Sequence, residues 1–164
     1  MLKHKEQRVG VFVDVSNMYY SARHIYKRKV NFKEVLKTAV SGRKLIRAIA
    51  YVVKAETELE KGFFDALEKS GFEVKTKDLQ VFWGGHKKGD WDVGITVDMI
   101  KMGPKLDVMV LVSGDGDYQP LLEYLKSLGH RVEVIAFGKS TSSKLIEEVD
   151  DFIDLDKDVK RYLI

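Results

Sequence analysis

Two aspartates, Asp115 and Asp117, stand one glycine apart at the end of the most hydrophobic segment of this 164-residue sequence. The segment reads LDVMVLVSGDGDYQP, residues 106–120, so a run of Val and Leu leads directly into the acids. Two carboxylates held close together raise each other's pKa and cost stability unless a cation or hydrogen bonds compensate. The pair therefore either caps the helix that follows or holds a metal ion.

Other aspartates stand at comparable places. Asp14 ends the first apolar segment, and three more lie at the start and second turn of a later predicted helix: Asp90, Asp92 and Asp98. In an open parallel sheet, ligands bind beyond the carboxyl ends of the strands, where the strand order reverses. If the first and fourth strands are neighbours there, Asp14 faces Asp115 and acids from three segments meet in one crevice.

Such a group of carboxylates suits a hard cation. Mg²⁺ and Mn²⁺ prefer oxygen ligands, keep several waters and meet substrate phosphates. These ions neutralise a phosphodiester, lower the pKa of water and stabilise the leaving oxygen. Hydrolysis of a phosphate ester is the chemistry that follows.

Helix capping is the simpler explanation for each acid taken alone. Asp117 precedes YQPLL as a good N-cap, and Pro120 is tolerated in the first turn of a helix. Asp90 or Asp92 suits the same role near Trp91. Because capping needs one carboxylate per helix, the surplus at both places favours a site.

The elements that position these acids alternate along the chain between apolar strands and amphipathic helices. Strands are predicted at residues 8–14, 44–53, 72–83, 106–114 and 131–137, with a candidate sixth at 152–155. The third of them, 72–83, is expected to continue into an edge or hairpin that ends at 84–85. Helices are predicted at residues 17–28, 31–40, 56–71, 90–103, 117–129 and 140–150. Near-continuous apolar strands separated by helices indicate βαβ crossovers. We therefore expect one domain over residues 1–164, a three-layer α/β/α fold with a mainly parallel central sheet.

Composition narrows the class of protein. A hydrophobic content of 45% and a charged content of 32% are typical of a globular chain. No apolar run approaches the roughly 18 residues of a membrane span, and the charged N-terminus lacks the apolar stretch of a signal peptide. The absence of cysteine excludes disulfides, thiolate zinc sites and cysteine nucleophiles. We expect a cytoplasmic protein with no membrane partner.

Several other kinds of site fail on spacing. Lys126 stands at the twelfth position of an EF-hand loop that begins at Asp115, where a bidentate Glu is required. Gln119 stands where a dinucleotide-binding fingerprint needs its third glycine. Ser16 stands where an aspartyl-phosphate phosphatase would carry a second acid.

Three segments, taken in order, resemble one known family. They are VFVDVSNMYYSA, KKGDWDVGITVDMI and LVSGDGDYQPLLEYLKSLGHRVEVIAF. Together they resemble the NYN domain of the PIN-like nuclease superfamily, in its bacterial LabA-like branch, over roughly residues 8–155. The resemblance implies a PIN-like (Rossmann-like) sheet order 3-2-1-4-5, which makes the first and fourth strands neighbours.

The family motifs match particular residues of this chain. An Asp-x-x-Asn after the first strand, a metal ligand and a hydrogen-bonding Asn in the family, matches Asp14 and Asn17. The Lys-x-x-Asp-Val motif matches residues 88–93 when one spacer residue is allowed, and a further acid on that helix matches Asp98. The Ser-Gly-Asp-x-Asp motif matches residues 113–117.

The resemblance implies an endoribonuclease that uses Mg²⁺ or Mn²⁺ to hydrolyse single-stranded or structured RNA, leaving a 5′-phosphate and a 3′-hydroxyl. The predicted catalytic and metal-binding residues are Asp14, Asp92, Asp115 and Asp117, with Asp98 as an additional ligand or a residue behind the ligands. The predicted substrate contacts are Asn17, Ser113, Lys88 and Ser142. A plain helix start for Asn17 and a plain cap for Ser142 are the alternatives.

Two other functions stay open from the sequence. A Toprim-like nuclease also uses an acidic pair after a strand, but it needs a Glu where this chain has Asp14. A non-catalytic regulatory module would bind RNA, a nucleotide or a protein partner at the same acidic site. An exposed edge near DLQVFWGG, residues 78–85, would suit a homodimer.

Overall fold

A six-stranded parallel sheet forms the centre of the structure, a computed structural model that describes residues 2–54, 61–81, 83–84 and 87–164. The strands are β1 (Arg8–Asp14), β2 (Lys44–Val53), β3 (Glu73–Lys77), β4 (Gln80–Val81), β5 (Lys87–Lys88), β6 (Val108–Val112), β7 (Arg131–Ala136) and β8 (Asp151–Asp154). The main sheet has the order β3-β2-β1-β6-β7-β8, and β4 and β5 form a separate two-stranded ribbon. Numbered as main strands, this is the order 3-2-1-4-5 implied by the resemblance, extended by the candidate sixth strand.

Helices cover both faces of this sheet, as right-handed crossovers between parallel strands require. They are α1 (Val15–Tyr26), α2 (Phe32–Val40), α3 (Lys61–Ser70), α4 (Asp92–Met102), α5 (Gln119–Ser127), α6 (Ser143–Glu148) and α7 (Val159–Tyr162). The three-layer α/β/α prediction is confirmed. Among the described residues, no helix is both long and apolar enough to cross a membrane.

The central strands are apolar because both of their faces are covered. Every residue of β6 is buried, and so is β1 from Val9 onward. The two strands pair in parallel, with Val13 opposite Val112. The next residues, Asp14 and Ser113, therefore begin their loops side by side at the carboxyl edge of the sheet.

A buried ion pair lies at the opposite edge of the sheet, where the strands begin. Arg43, just before β2, donates two 2.9 Å hydrogen bonds to the carboxylate of Glu133 in β7. Two further N–H groups of Arg43 donate to the carbonyl oxygens of Ala39 and Val40 at the end of α2. Both charged side chains are only 1% exposed. The pair thus ties the last turn of α2 to β7 and satisfies carbonyl groups that a helix end leaves without partners.

The third strand is shorter than the predicted residues 72–83. It ends at Lys77, which pairs with Val53, the last residue of β2. The chain then leaves the main sheet, and Gln80–Val81 pairs with Lys87–Lys88 in an antiparallel ribbon. The predicted continuation into a hairpin is confirmed, but as a ribbon separate from the main sheet.

Two predicted helix starts were displaced by local capping. Helix α1 begins at Val15 rather than residue 17, because Asp14 itself is the N-cap and accepts a hydrogen bond from the Asn17 backbone N–H. Helix α5 begins at Gln119, after a 3₁₀ turn over Gly116–Tyr118. The first residues of the helix predicted at 56–71 lie outside the described part of the chain.

Candidate metal centre

The carboxyl edge of the sheet opens into a cleft of about 390 Å³. Three predicted acids from separate segments share its wall: Asp14 from the end of β1, Asp92 from the first turn of α4 and Asp115 from the loop after β6. Topology explains the convergence, because β1 and β6 are neighbours in the sheet. Helix α4 comes before β6 in the chain, as the crossover helix that leads into that strand. The crevice expected from the sequence is therefore present as a geometric feature.

Within the described part of the chain, one group of acids is close enough to share a cation. An oxygen atom from each of Asp92, Asp115 and Asp117 lies within 4.8 Å of the other two. Ligands on opposite sides of a Mg²⁺ ion are about 4.2 Å apart, twice the metal–oxygen distance. The separations in this group are of that order, and carboxylate oxygens are the ligands a hard divalent ion prefers, so the donor set fits such an ion.

Asp14 adjoins this group but is held differently, because it is 7% exposed and surrounded by donors. Its Oδ2 lies 3.4 Å from the Ser113 hydroxyl and 3.3 Å from the Tyr118 hydroxyl, and its Oδ1 accepts from the Asn17 backbone at 3.3 Å. The same Tyr118 hydroxyl lies 3.0 Å from an oxygen of Asp92. One hydroxyl proton can serve only one carboxylate at a time, so Tyr118 cannot donate to Asp14 and Asp92 together.

Burial and mutual repulsion dominate the electrostatics of these acids. Burial raises the pKa of Asp14 to about 6, and the negative charge of Asp115 adds to the shift. Burial, followed by the charge of Asp115, likewise raises the pKa of Asp92 to about 6. Burial and the two neighbouring carboxylates raise the pKa of Tyr118 above its ordinary value, which keeps its hydroxyl protonated as a donor. A cation between the acids would relieve the repulsion that these shifts report.

The loop that carries Asp115 is fixed by hydrogen bonds from its own residues and from α1. Asp115, not Asp117 as the capping interpretation had it, caps the following turn: its Oδ1 accepts from the Asp117 backbone N–H at 2.9 Å. The Asn17 side-chain oxygen accepts from the Gly114 backbone N–H at 3.0 Å. Asn17 therefore links the first and fourth main strands at the site rather than starting its helix.

Both glycines of this loop lie against the loop that follows β7. A Cβ added at Gly114 would be 2.9 Å from the Thr141 hydroxyl and 3.0 Å from the Ser140 carbonyl oxygen. A Cβ added at Gly116 would be 2.7 Å from the Ser142 hydroxyl. The alternation of Gly with Asp in this stretch thus reflects packing as well as charge.

We expect Gly114→Ala to destabilise the fold by about 1–3 kcal/mol, the usual cost of overpacking. The matched control is Gly62→Ala, because Gly62 lies within α3 and, among the described residues outside its own helical turn, no atom lies within 4 Å of an added Cβ. That change should stabilise the protein by about 0.5–1 kcal/mol through helix propensity. Urea denaturation measures both, and equal effects of the two substitutions would contradict the packing interpretation.

Other predicted site residues lie outside the cleft wall or beyond what the structure describes. Asp98 accepts 2.7 Å hydrogen bonds from Lys75 Nζ and from the Tyr51 hydroxyl, and despite burial these hold its pKa below the ordinary value. Ser142 caps α6, its hydroxyl oxygen accepting from the Lys144 backbone N–H. The side chain of Lys88 lies outside the described residues. The structure thus brings together Asp14, Asn17, Asp92, Ser113, Asp115 and Asp117, but not Asp98.

Some residues of the site were missed from the sequence. Tyr118 is 1% exposed, and its hydroxyl bridges Asp14 and Asp92. It follows Asp117 directly in the sequence, and this position next to the acidic pair is the signal that was available. Ser21 and His24 also line the cleft from α1, one and two helical turns after Asn17. Their spacing of three and four residues indicates a shared face.

Comparisons with known proteins agree with this architecture. The sequence model of the NYN domain matches residues 8–156. The chain is 26% identical to the Low amplitude and bright protein LabA of Synechococcus elongatus over 174 residues, covering 97% of this chain and 89% of that protein. The crystal structure of a protein of unknown function, VPA0982 from Vibrio parahaemolyticus, superposes with a TM-score of 0.88 at 32% identity and covers 100% of both chains. Neither name states a reaction.

Proposed function

The chain belongs to the NYN domain family, and on that premise we propose that it is a metal-dependent ribonuclease acting at the acidic cleft. One observation carries the proposal: an oxygen from each of Asp92, Asp115 and Asp117 lies within 4.8 Å of the others at the carboxyl edge of the sheet. Asp14 is tied to this group through the Tyr118 hydroxyl. Acids at the strand ends of an open α/β sheet are placed where such folds bind ligands.

The acids and the hydroxyl groups of the cleft would have different roles in phosphodiester hydrolysis. Asp92, Asp115 and Asp117 would hold a Mg²⁺ or Mn²⁺ ion, with Asp14 beside them as a further ligand. When bound, the ion would neutralise phosphate charge and promote ionisation of water. Ser113 and Tyr118 orient the acids by hydrogen bonds, and donors of this kind commonly set the geometry and basicity of metal ligands.

The α1 wall of the cleft would contact the nucleotide next to the cleaved bond. Tyr20 is 43% exposed there and offers a ring to a base, and base–aromatic stacking contributes about 1–3 kcal/mol per base. Ser21 and His24 add hydrogen-bonding groups to the same cleft. Lys139 and Lys144 on the exposed segment after β7 are suited to contact phosphates of a longer strand.

The test is cleavage of single-stranded RNA, structured RNA and single-stranded DNA in the presence of Mn²⁺, Mg²⁺ or EDTA. We expect RNA to be cut with a divalent ion and left intact with EDTA, because the carboxylates cannot approach a phosphate without a cation between them. Cleavage that persists in EDTA would contradict the metal requirement. RNA that is bound but never cut would favour the regulatory alternative, a non-catalytic module at the same site.

A further inference from the structure

Helix α4 is apolar on the side that faces the sheet and also on the side that faces outward. Ile95 and Met99 are 0% exposed and pack into the core. Val93, Val97 and Ile100 are 76%, 46% and 41% exposed. Their spacing of four and three residues places them on one line along the helix, here named the α4 stripe. Polar residues, among them Thr96 and Asp98, occupy the rest of the helix, and three exposed aliphatic side chains on one line are more typical of a contact surface than of a solvated face.

The charges at the two ends of α4 identify what covers the stripe. Asp90 is exposed beside the first turn, and Lys101 is exposed in the last turn beside Ile100. When two copies of one helix pack antiparallel, the acidic end of each meets the basic end of the other. A parallel arrangement would instead bring like charges together. The pattern is thus complementary to itself in the antiparallel sense, which is the symmetry of a twofold dimer.

We propose that the α4 stripe is a homodimer interface in which two α4 helices pack antiparallel about a twofold axis near Val97. Val97 then contacts its own counterpart, and Val93 lies opposite Lys101 of the second copy. A lysine placed there extends toward Asp90, at the rim of the acidic cleft. The interface differs from the edge at residues 78–85 that the sequence indicated, and it does not depend on the proposed ribonuclease activity.

An interface centred on one helix belongs to the small, reversible class of contacts. The unsubstituted chain should therefore pass from monomer to dimer as its concentration rises, as measured by light scattering or sedimentation. Val97→Glu should keep the chain monomeric throughout the same series. The matched control is Ile146→Glu, since Ile146 is a 39% exposed aliphatic residue on α6 and its replacement should leave the dimer intact. A chain that stays monomeric at every concentration, or a Val97→Glu variant that still dimerises, would overturn the proposal.

The absence of cysteine from the sequence allows a second, independent measurement of the register. Val97→Cys should yield a disulfide-linked dimer on mild oxidation, because the two copies of a residue on the axis are adjacent. Val93→Cys should not, because eight residues along the helix separate it from its counterpart by about 12 Å, beyond the Cα–Cα distance of a disulfide. Cross-linking of Val93→Cys as readily as Val97→Cys would overturn the antiparallel arrangement, and so would the failure of both. Both cysteine substitutions replace valine by a side chain of similar size, so the cross-linking measurement stays possible even if Val97→Glu fails to fold.

Discussion

Asp115→Asn should strongly reduce metal-dependent RNA cleavage while leaving the fold intact. On the proposed function, an ion held there would contribute several kcal/mol of transition-state charge stabilisation, so losing a ligand should lower kcat/KM on the order of 10³-fold. The asparagine side chain retains an oxygen that can accept the Asp117 backbone N–H, as Asp115 does at 2.9 Å. The substitution therefore removes the charge and keeps the turn. Cleavage of a labelled RNA under saturating Mn²⁺ measures the change.

The matched control is Asp107→Asn, at the opposite edge of the sheet. Asp107 accepts hydrogen bonds from the backbone and guanidinium of Arg8 on the exposed surface, so its replacement should leave the cleavage rate unchanged. RNA binding by Asp115→Asn separates enzyme from binding module: an enzyme should still bind RNA, whereas a module assembled through the metal should lose it. Full activity in the Asp115→Asn variant would contradict the assignment of this acid to the metal.

Glu133→Ala should cost about 3–5 kcal/mol of stability, the usual effect of leaving a buried charge without its partner. Arg43, 1% exposed, would keep only carbonyl acceptors at the end of α2. At about 2 kcal/mol per molar urea, the unfolding midpoint should fall by about 2 M. The control is Glu73→Ala, because Glu73 makes an even shorter bidentate pair with Arg47, at 2.6 and 2.7 Å, on the exposed surface. Surface pairs contribute about 0–1 kcal/mol, so similar losses in the two variants would contradict the role of burial.

The Glu133 contribution should also depend on pH in a defined direction. Burial opposes ionisation of this carboxyl, yet hydrogen bonds from Arg43 and Arg131 hold its pKa below the ordinary value. A carboxyl whose pKa is lower in the folded state stabilises the protein above its unfolded pKa, near 4.3, and loses that contribution as the pH falls. The stability gap between Glu133→Ala and the unsubstituted chain should therefore narrow below about pH 4. A gap of constant size would show that the charge of Glu133 is not what stabilises the fold.

The sequence was sufficient for the architecture because the strands are long apolar runs whose burial on both faces leaves few alternatives. Acids that end such strands could be assigned to one edge of the sheet, and Asp14 and Asp115 do share a cleft there. The sequence could not supply the partners of side chains whose neighbours lie far away in the chain. Asp98 pairs with Lys75 across the sheet edge, a contact that depends on the register of β3 against β2. Pattern and spacing carry no information about such a register.

Capping was predicted in kind but assigned to the wrong acid. The helical pattern of YQPLL indicated a cap at Asp117, but the chain inserts a 3₁₀ turn over Gly116–Tyr118 before α5 begins, which moves the cap back to Asp115. The same turn directs the Tyr118 hydroxyl toward Asp14 and Asp92. A displacement of two residues at one helix start thus decides which acid is tied to the backbone and which remains exposed.

The wholly parallel order of the main sheet has a consequence for synthesis on the ribosome. Strand β1 pairs with β2 and β6, and β6 is separated from it by more than half of the chain. Such non-local pairings form slowly and only after the later strand is available. A growing chain that has reached Asp92 therefore carries the early acids without the loop at Asp115 that completes the cluster. Incomplete or prematurely terminated chains would lack the assembled centre, so any hydrolytic activity appears only once most of the polypeptide has been made.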